Sequence, residues 1–417
     1  HLPGHGKGHA VARHGGDAAS IYYEFWRQYP AHALAADALY LAASWAETEI
    51  GWATAGEYYR LFRQRHREDA RVTEALFRQG LAAYEAGDAG DAVMLWSQLL
   101  AELPETAVSQ RARALIWLGR AAQTLGDETA AQALWAQAQA MAPDLYYGLR
   151  AHDLARGIAP RIALAPASPL PPAELSEGEW EGIEQWVGAW YTATLPLTDT
   201  VRIQGVEHRA RTLWRIGWHD DADALYREAL RQLNDHSSGL LDLAWRCTAE
   251  GAHPYAIAAA VRLITLGQAA GAAPPPDALW RVAYPTHYGH LVEAEAARYG
   301  FDPLLFMALI RQESRFDPRA VSYAGATGLT QVMPATGEWI AGRINDGAYR
   351  HHLLTRPVVS VRYGTWYLNM LLGQYDGDWV AALVGYNAGP GNLQRWTNGQ
   401  PIGDHDLFYE MIPNQQA

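Results

Sequence analysis

The chain has 417 residues, 49% hydrophobic and 19% charged, with a formal net charge of −12. That is room for two or three domains around a large core, without the basic surface of a general nucleic-acid binder and without an apolar run of 18 residues that would predict a spanning helix. Lys7 is the only lysine and Cys247 the only cysteine, which excludes P-loop and Schiff-base chemistry, an intrachain disulfide framework and a cysteine zinc site.

The first sixteen residues, with His1, His5, His9 and His14 spaced by glycine, read as a flexible tail rather than a metal site. Residues 17–155 then repeat themselves. In "YEAGDAGDAVMLWSQLLAELP" (84–104) and "QTLGDETAAQALWAQAQAMAP" (123–143), Gly87/Gly126, Asp88/Asp127, Leu95/Leu134, Trp96/Trp135 and Pro104/Pro143 recur at a shift of 39 residues. Each copy predicts a helix stopped at Gly-Asp and a second amphipathic helix ended by Pro. The same glycine-plus-eight spacing joins Gly51 to Tyr59 and Gly217 to Leu225. This grammar predicts a helix-pair solenoid, resembling tetratricopeptide-type repeats.

Residues 156–190 begin with a proline-rich stretch, "RGIAPRIALAPASPLPPAELSEGEW", and read as a crossing linker. Further solenoid or linker helices are expected over 191–275, where Cys247 in "DLAWRCTAE" reads as a small core residue. A second break, "GAAPPPDALWRVAYP", separates them from a last domain over 276–417.

In that domain "HYGHLVEAEAARYG" predicts a helix with a Gly stop, and "DPLLFMALIRQESR" (302–315) a helix entered through Asp-Pro. Phe306, Leu309, Ile310 and Glu313 share one face by three- and four-residue spacing. An acid on an apolar stripe near a helix C-terminus has two readings. It is a structural ion pair, with Arg311 or Arg315 as the available cations. Or it is a proton donor, its pKa raised by loss of water and by the helix dipole. The loop "SYAGATGLTQ" (322–331) adds Gly325 and Gly328, where the backbone can approach a ligand, and the neutral polar groups of Ser322, Thr327, Thr330 and Gln331. "VGYNAGPGNLQRW" adds Tyr386 and Asn387 ahead of a Gly-Pro turn. Asp317, before Pro318, reads as a turn former rather than as a second catalytic acid.

Four segments carry a specific resemblance: "QES" (312–314), "SYAGATGLTQVMPATG" (322–337), "YGTWYLNMLLGQY" (363–375) and "GYNAGPG" (385–391). Over roughly residues 283–413 the sequence resembles the soluble lytic transglycosylases of the lysozyme-like superfamily, glycoside hydrolase family 23. The resemblance implies an all-α protein: a tetratricopeptide-like helical superhelix followed by a lysozyme-like α-helical catalytic domain. It makes Glu313 the single catalytic acid/base and places Ser322, Gln331, Tyr386, Asn387 and Thr330 along the sugar site, with Glu410 of "FYEMIP" at its product end. Two positions depart from the family pattern. Thr330 stands where the family's Gly-Leu-Met-Gln has Met, and Ser360 where it has Asn, so substrate fit is where a difference is expected.

The chemistry so implied needs no metal or organic cofactor. Glu313 would protonate the oxygen between N-acetylmuramic acid and N-acetylglucosamine. The muramoyl acetamido carbonyl would stabilise C1, held by Tyr386 or a backbone group, and Glu313 would then take the proton of the C6 hydroxyl as it closes to a 1,6-anhydro ring. The expected partner is the peptidoglycan glycan strand, with room on the solenoid for protein partners and none expected for nucleic acid. A periplasmic or cell-envelope location follows from that substrate. Two rivals remain open on the sequence: a goose-type lysozyme using water and a second acid, and a non-catalytic scaffold that binds the wall.

Overall fold

The computed structural model describes residues 15–158, 169–193 and 197–412; the histidine-rich segment 1–14 and residues 159–168 of the proline-rich stretch lie outside them. Among the described residues the fold is all-α. Helices follow one another from Gly15–Gln28 to His405–Met411, and the only β pairing is two isolated bridges, Val321 with Thr327 and Thr327 with Val332. Among the described residues no helix is long and apolar enough to cross a membrane. The chain divides into two compact units, residues 1–161 with 392–417, and residues 162–391.

In the first unit consecutive helices pack as antiparallel pairs, and the sequence repeat reappears as a repeated set of contacts. Gly87 and Gly126 both sit at φ +85, where only glycine is unstrained. Asp88 and Asp127 follow as N-caps, accepting from the amides of Asp91 and Ala130 at 2.9 Å each. The two indoles then turn inward. Trp96 donates to the Phe77 carbonyl at 3.1 Å and Trp135 to the Ile116 carbonyl at 3.2 Å, so each buried N–H is satisfied. Gly80 and Gly119 lie under those indoles, and a Cβ at either would overlap the ring nitrogen. One helix thus passes close to the next because a glycine faces a tryptophan.

The same unit contains a chain of alternating charges. Tyr59 donates to Glu47 at 2.7 Å, Arg78 bridges Glu47 and Glu74 at 3.0 and 2.9 Å, and Arg113 joins Glu74 at 2.7 Å to Glu410 at 2.6 Å. Beside it Arg150 holds Asp406 through two bonds of 2.7 and 3.0 Å, and Arg120 pairs with Asp404. The helix His405–Met411 is therefore fastened to helices Val108–Thr124 and Tyr146–Ala155 by buried ion pairs. Removing one partner of such a pair strands a charge.

The second unit begins with the end of the proline-rich stretch, which lies against residues 281–286. Arg281 donates to the carbonyls of Pro172 and Glu174 at 2.8 and 2.7 Å, and Thr286 to that of Pro171 at 2.8 Å. The segment 177–190, expected as linker, is a helix, Glu177–Trp190. It starts at a capping box between Ser176 and Glu179, a Ser-x-x-Glu signal present in the sequence. Helices Leu197–Arg215 to Asp277–Ala283 share one core with it, including buried Cys247, and a second core gathers Phe306, Ile310, Phe316, Leu329, Val361 and Leu368 around the segment that carries Glu313.

Substituting Gly119→Ala, or Gly80→Ala, forces a methyl into an indole and is expected to destabilise the chain by about 1–3 kcal/mol. Thermal or urea unfolding of either variant checks this; an unchanged midpoint would contradict the close approach.

Candidate functional site

Asp302 opens the helix Pro303–Ser314 by accepting from the Leu304 amide at 2.8 Å, with Pro303 at the first position. Phe306, Leu309 and Ile310 are buried, and Glu313 ends their stripe, largely withdrawn from water. Ser314 fastens this helix end: its hydroxyl approaches the carbonyls of Ile310 at 3.2 Å and Leu329 at 3.0 Å. Two consecutive residues, Arg315 at φ 50 and Phe316 at φ 65, then reverse the chain in the left-handed region. That conformation costs roughly 1–2 kcal/mol per non-glycine residue, and burial of the Phe316 ring holds it in place. Asp317 accepts from the Arg319 amide at 2.9 Å and forms the expected turn, while Arg319 stacks over Trp214 at 4.7 Å.

The ion-pair reading of Glu313 fails. Arg311 donates to the Ala283 carbonyl at 2.7 Å and lies 4.0 Å over the Tyr284 ring, Arg315 is exposed, and no salt bridge to Glu313 exists among the described residues. Burial alone raises its carboxyl from an ordinary 4.5 to about 7. A group of this kind holds its proton near neutrality and can give it up and take it back.

The polar loop is built by its own backbone. The Ser322 amide donates to Ala326 O at 2.9 Å, and the Ser322 hydroxyl accepts from the Ala326 amide at 3.0 Å. Gly328, at φ +83, is glycine for a second reason: a Cβ there would overlap the Leu354 carbonyl. Gln331 spends its side-chain amide N–H groups on Ala320 O and Gly328 O at 3.0 and 2.9 Å, which leaves its carbonyl oxygen for a ligand. His351 Nε2 donates to Gly325 O at 3.0 Å and meets Thr327 Oγ1 at 2.9 Å, tying the loop to the 3-10 helix His351–Thr355. Facing it, the helix Trp379–Ala388 presents Tyr386, whose hydroxyl donates to Thr330 O at 2.9 Å. Burial first, and then the Glu313 carboxylate, push the Tyr386 phenol up, so the two side chains sit within electrostatic reach. Asn387, next to it, is exposed.

Glu313, Ser322, Gln331, Tyr386 and Asn387 all belong to the second unit, with Glu313 close enough to Tyr386 to act on its phenol electrostatically. Two expected ligand contacts differ. Thr330 is 0% exposed, its hydroxyl donating to Ser360 O at 3.0 Å, so it supports the loop and does not face a groove. Glu410 belongs to the first unit and is 4% exposed. Its carboxylate is filled by Arg113, by Trp117 at 3.1 Å and by Tyr147 at 3.2 Å; a buried carboxylate requires such partners, and none of its oxygens is left for a sugar. Sequence reasoning missed Ser314 and His351 as supports. The hydroxyl next to the acid hinted at the first, and no local pattern marks the second.

Residues 290–408 match the family model of the transglycosylase SLT domain. The soluble lytic murein transglycosylase of Salmonella typhimurium is 36% identical over 110 residues, 26% of this chain and 17% of that protein. The membrane-bound lytic murein transglycosylase C of Actinobacillus pleuropneumoniae is 36% identical over 136 residues, 30% of this chain and 37% of that protein. The chain therefore spans well under half the length of these relatives. Among solved structures, an inactive variant of the lytic transglycosylase Slt from Pseudomonas aeruginosa superposes with a TM-score of 0.60 at 18% identity, over 97% of this chain and 65% of that one. The 70 kDa soluble lytic transglycosylase from Escherichia coli does so with a TM-score of 0.53 at 17% identity, over 95% and 62%. The fold likeness thus extends through the helical region ahead of the matched domain.

Because Glu313 titrates near 7 when folded and near 4.5 when unfolded, the folded chain keeps a proton that the unfolded chain releases. Its contribution to stability is complete below about pH 4.5 and is lost as pH rises through 7. Glu313→Gln is expected to leave stability at pH 4 nearly unchanged and to raise it at pH 8 by about 3 kcal/mol. Urea denaturation at the two pH values reads the difference, and equal effects at both would contradict the raised carboxyl.

Proposed function

We propose that this chain, proceeding from the SLT domain that residues 290–408 match, is a peptidoglycan lytic transglycosylase that uses Glu313 as its only acid and base. The observation that carries this reading is a half-buried carboxyl group that pairs with no cation among the described residues, raised to about 7 by loss of water alone, on the element joined by Ser314 to the polar loop. Such a group is protonated when substrate arrives, so it can protonate the oxygen joining N-acetylmuramic acid to N-acetylglucosamine. The carboxylate left behind then accepts the proton of the C6 hydroxyl as that oxygen closes onto C1. Proton donor and acceptor are the same side chain at two moments, and no water enters.

Hydrolysis of the same bond calls on a second acid beside the first. The nearest acid in sequence is Asp317, and its Oδ1 is tied into a turn by the Arg319 amide. This supports the anhydro route over a goose-type hydrolase. The presence of a poised carboxyl supports an enzyme over a passive scaffold. Ser322, Gln331 and Asn387 are the residues we assign to the sugar: the exposed Asn387 and the free Gln331 carbonyl oxygen suit hydroxyl and acetamido groups. The location that goes with such a substrate is the periplasm or the cell envelope.

Incubating purified peptidoglycan sacculi with the protein tests the assignment. Wild-type protein is expected to release soluble muropeptides, and Glu313→Gln to lower the rate by at least about 100-fold, the size of a general acid-base contribution. Wild-type rates in Glu313→Gln would remove Glu313 from the mechanism.

A further inference from the structure

The two positions that depart from the family pattern, Thr330 and Ser360, are in contact with each other. Both are 0% exposed. The Thr330 amide donates to Ser360 Oγ at 3.2 Å, Thr330 Oγ1 donates to Ser360 O at 3.0 Å, and the two hydroxyl oxygens lie 3.0 Å apart. The protons have one consistent arrangement. With the Thr330 hydroxyl proton given to the Ser360 carbonyl, Ser360 gives its own to Thr330 Oγ1, and Ser360 Oγ accepts the Thr330 amide. Gly364 lets this pair lie flat on the helix Pro357–Gln374, since a Cβ there would come within 2.7 Å of the Thr330 side chain.

This closed pair fixes the residue whose carbonyl receives the Tyr386 proton. A phenol has a single proton to donate. While it is bound to Thr330 O, Tyr386 cannot also donate to an acetamido carbonyl, and its oxygen is left as an acceptor within electrostatic reach of Glu313. We propose that Ser360 and Thr330 are paired positioning residues that hold the Tyr386 proton on the Thr330 carbonyl, so that Tyr386 Oη serves the site as an acceptor for an amide N–H of the sugar. The proposal deepens the transglycosylase reading and takes its meaning in turnover from it. Among the described residues, the titratable group coupled to Glu313 is Tyr386 from the facing helix, with Tyr367 packed on the Tyr386 ring at 5.3 Å, while Arg311 and Arg315 flank Glu313 in sequence without pairing to it.

Ser360→Ala opens the pair, and Thr330→Val, which removes one hydroxyl with little change of shape, is the second variant should the first fold poorly. Released from its fixed acceptor, the Tyr386 proton can turn to the Glu313 carboxylate and favour its ionised form. The experiment follows the Glu313 carboxyl by carbon-13 NMR titration in the full chain, with turnover on sacculi measured in parallel. In either variant we expect the titration midpoint to fall by about half a unit or more, and turnover to fall about tenfold with KM within about twofold. Either change added to Tyr386→Phe is expected to have no further effect on the midpoint. A midpoint and turnover that stay at wild-type values while only thermal stability drops would overturn the proposal, as would equal shifts with and without the Tyr386 hydroxyl. Wild-type protein that releases nothing from sacculi, with the midpoints still coupled, would remove the transglycosylase reading and leave this assignment standing.

Discussion

Burying a carboxyl group with no cation beside it sets the protonation of Glu313, and the surrounding structure is arranged to keep it so. Desolvation disfavours the charged form, while Arg311, two residues before it, is committed to the Ala283 carbonyl and the Tyr284 ring. The end of the helix is pinned through Ser314 to Leu329, and the left-handed pair Arg315–Phe316 turns the chain away at once. A proton donor that depends on exclusion of water needs rigid walls. Here they are supplied by a loop whose turns are closed by backbone bonds, by Gln331 and by His351.

Elsewhere buried charge is handled in the opposite way. Among the described residues of the first unit the buried acids are matched, Glu47 to Arg78, Glu410 to Arg113 and Asp406 to Arg150, and the half-buried Glu74 links Arg78 to Arg113. These pairs fasten the last helix of the chain to helices some 250–300 residues earlier in sequence. They fix a geometry and leave no site open. The contrast between Glu410, filled on both oxygens, and Glu313, filled on neither, separates a structural carboxylate from a chemical one.

Much of this was legible in the sequence, for physical reasons that can be named. The 39-residue repeat could be read because glycine, aspartate and tryptophan each do something no other residue does there: adopt φ +85, cap a helix start, and bury an indole against a facing glycine. The Glu313 helix was visible from its Asp-Pro entry and its apolar stripe. Long-range partners were not. Nothing local to "FYEMIP" says that Glu410 will meet Arg113, 297 positions away, and the Thr330–Ser360 pair spans 30 residues, so two departures that look independent in sequence are one contact in space. The helix Glu177–Trp190 was passed over because the prolines before it outweighed the Ser-x-x-Glu box that starts it.

Everything proposed for the site rests on one side chain acting first as acid and then as base, with the sugar closing on itself. The most direct measurement is the mass of the soluble fragments released from purified peptidoglycan. Fragments ending in 1,6-anhydro-muramic acid, each one water lighter than a hydrolysed end, are what the account predicts. Ordinary reducing ends would contradict it, since water would then have taken the place of the C6 hydroxyl at C1.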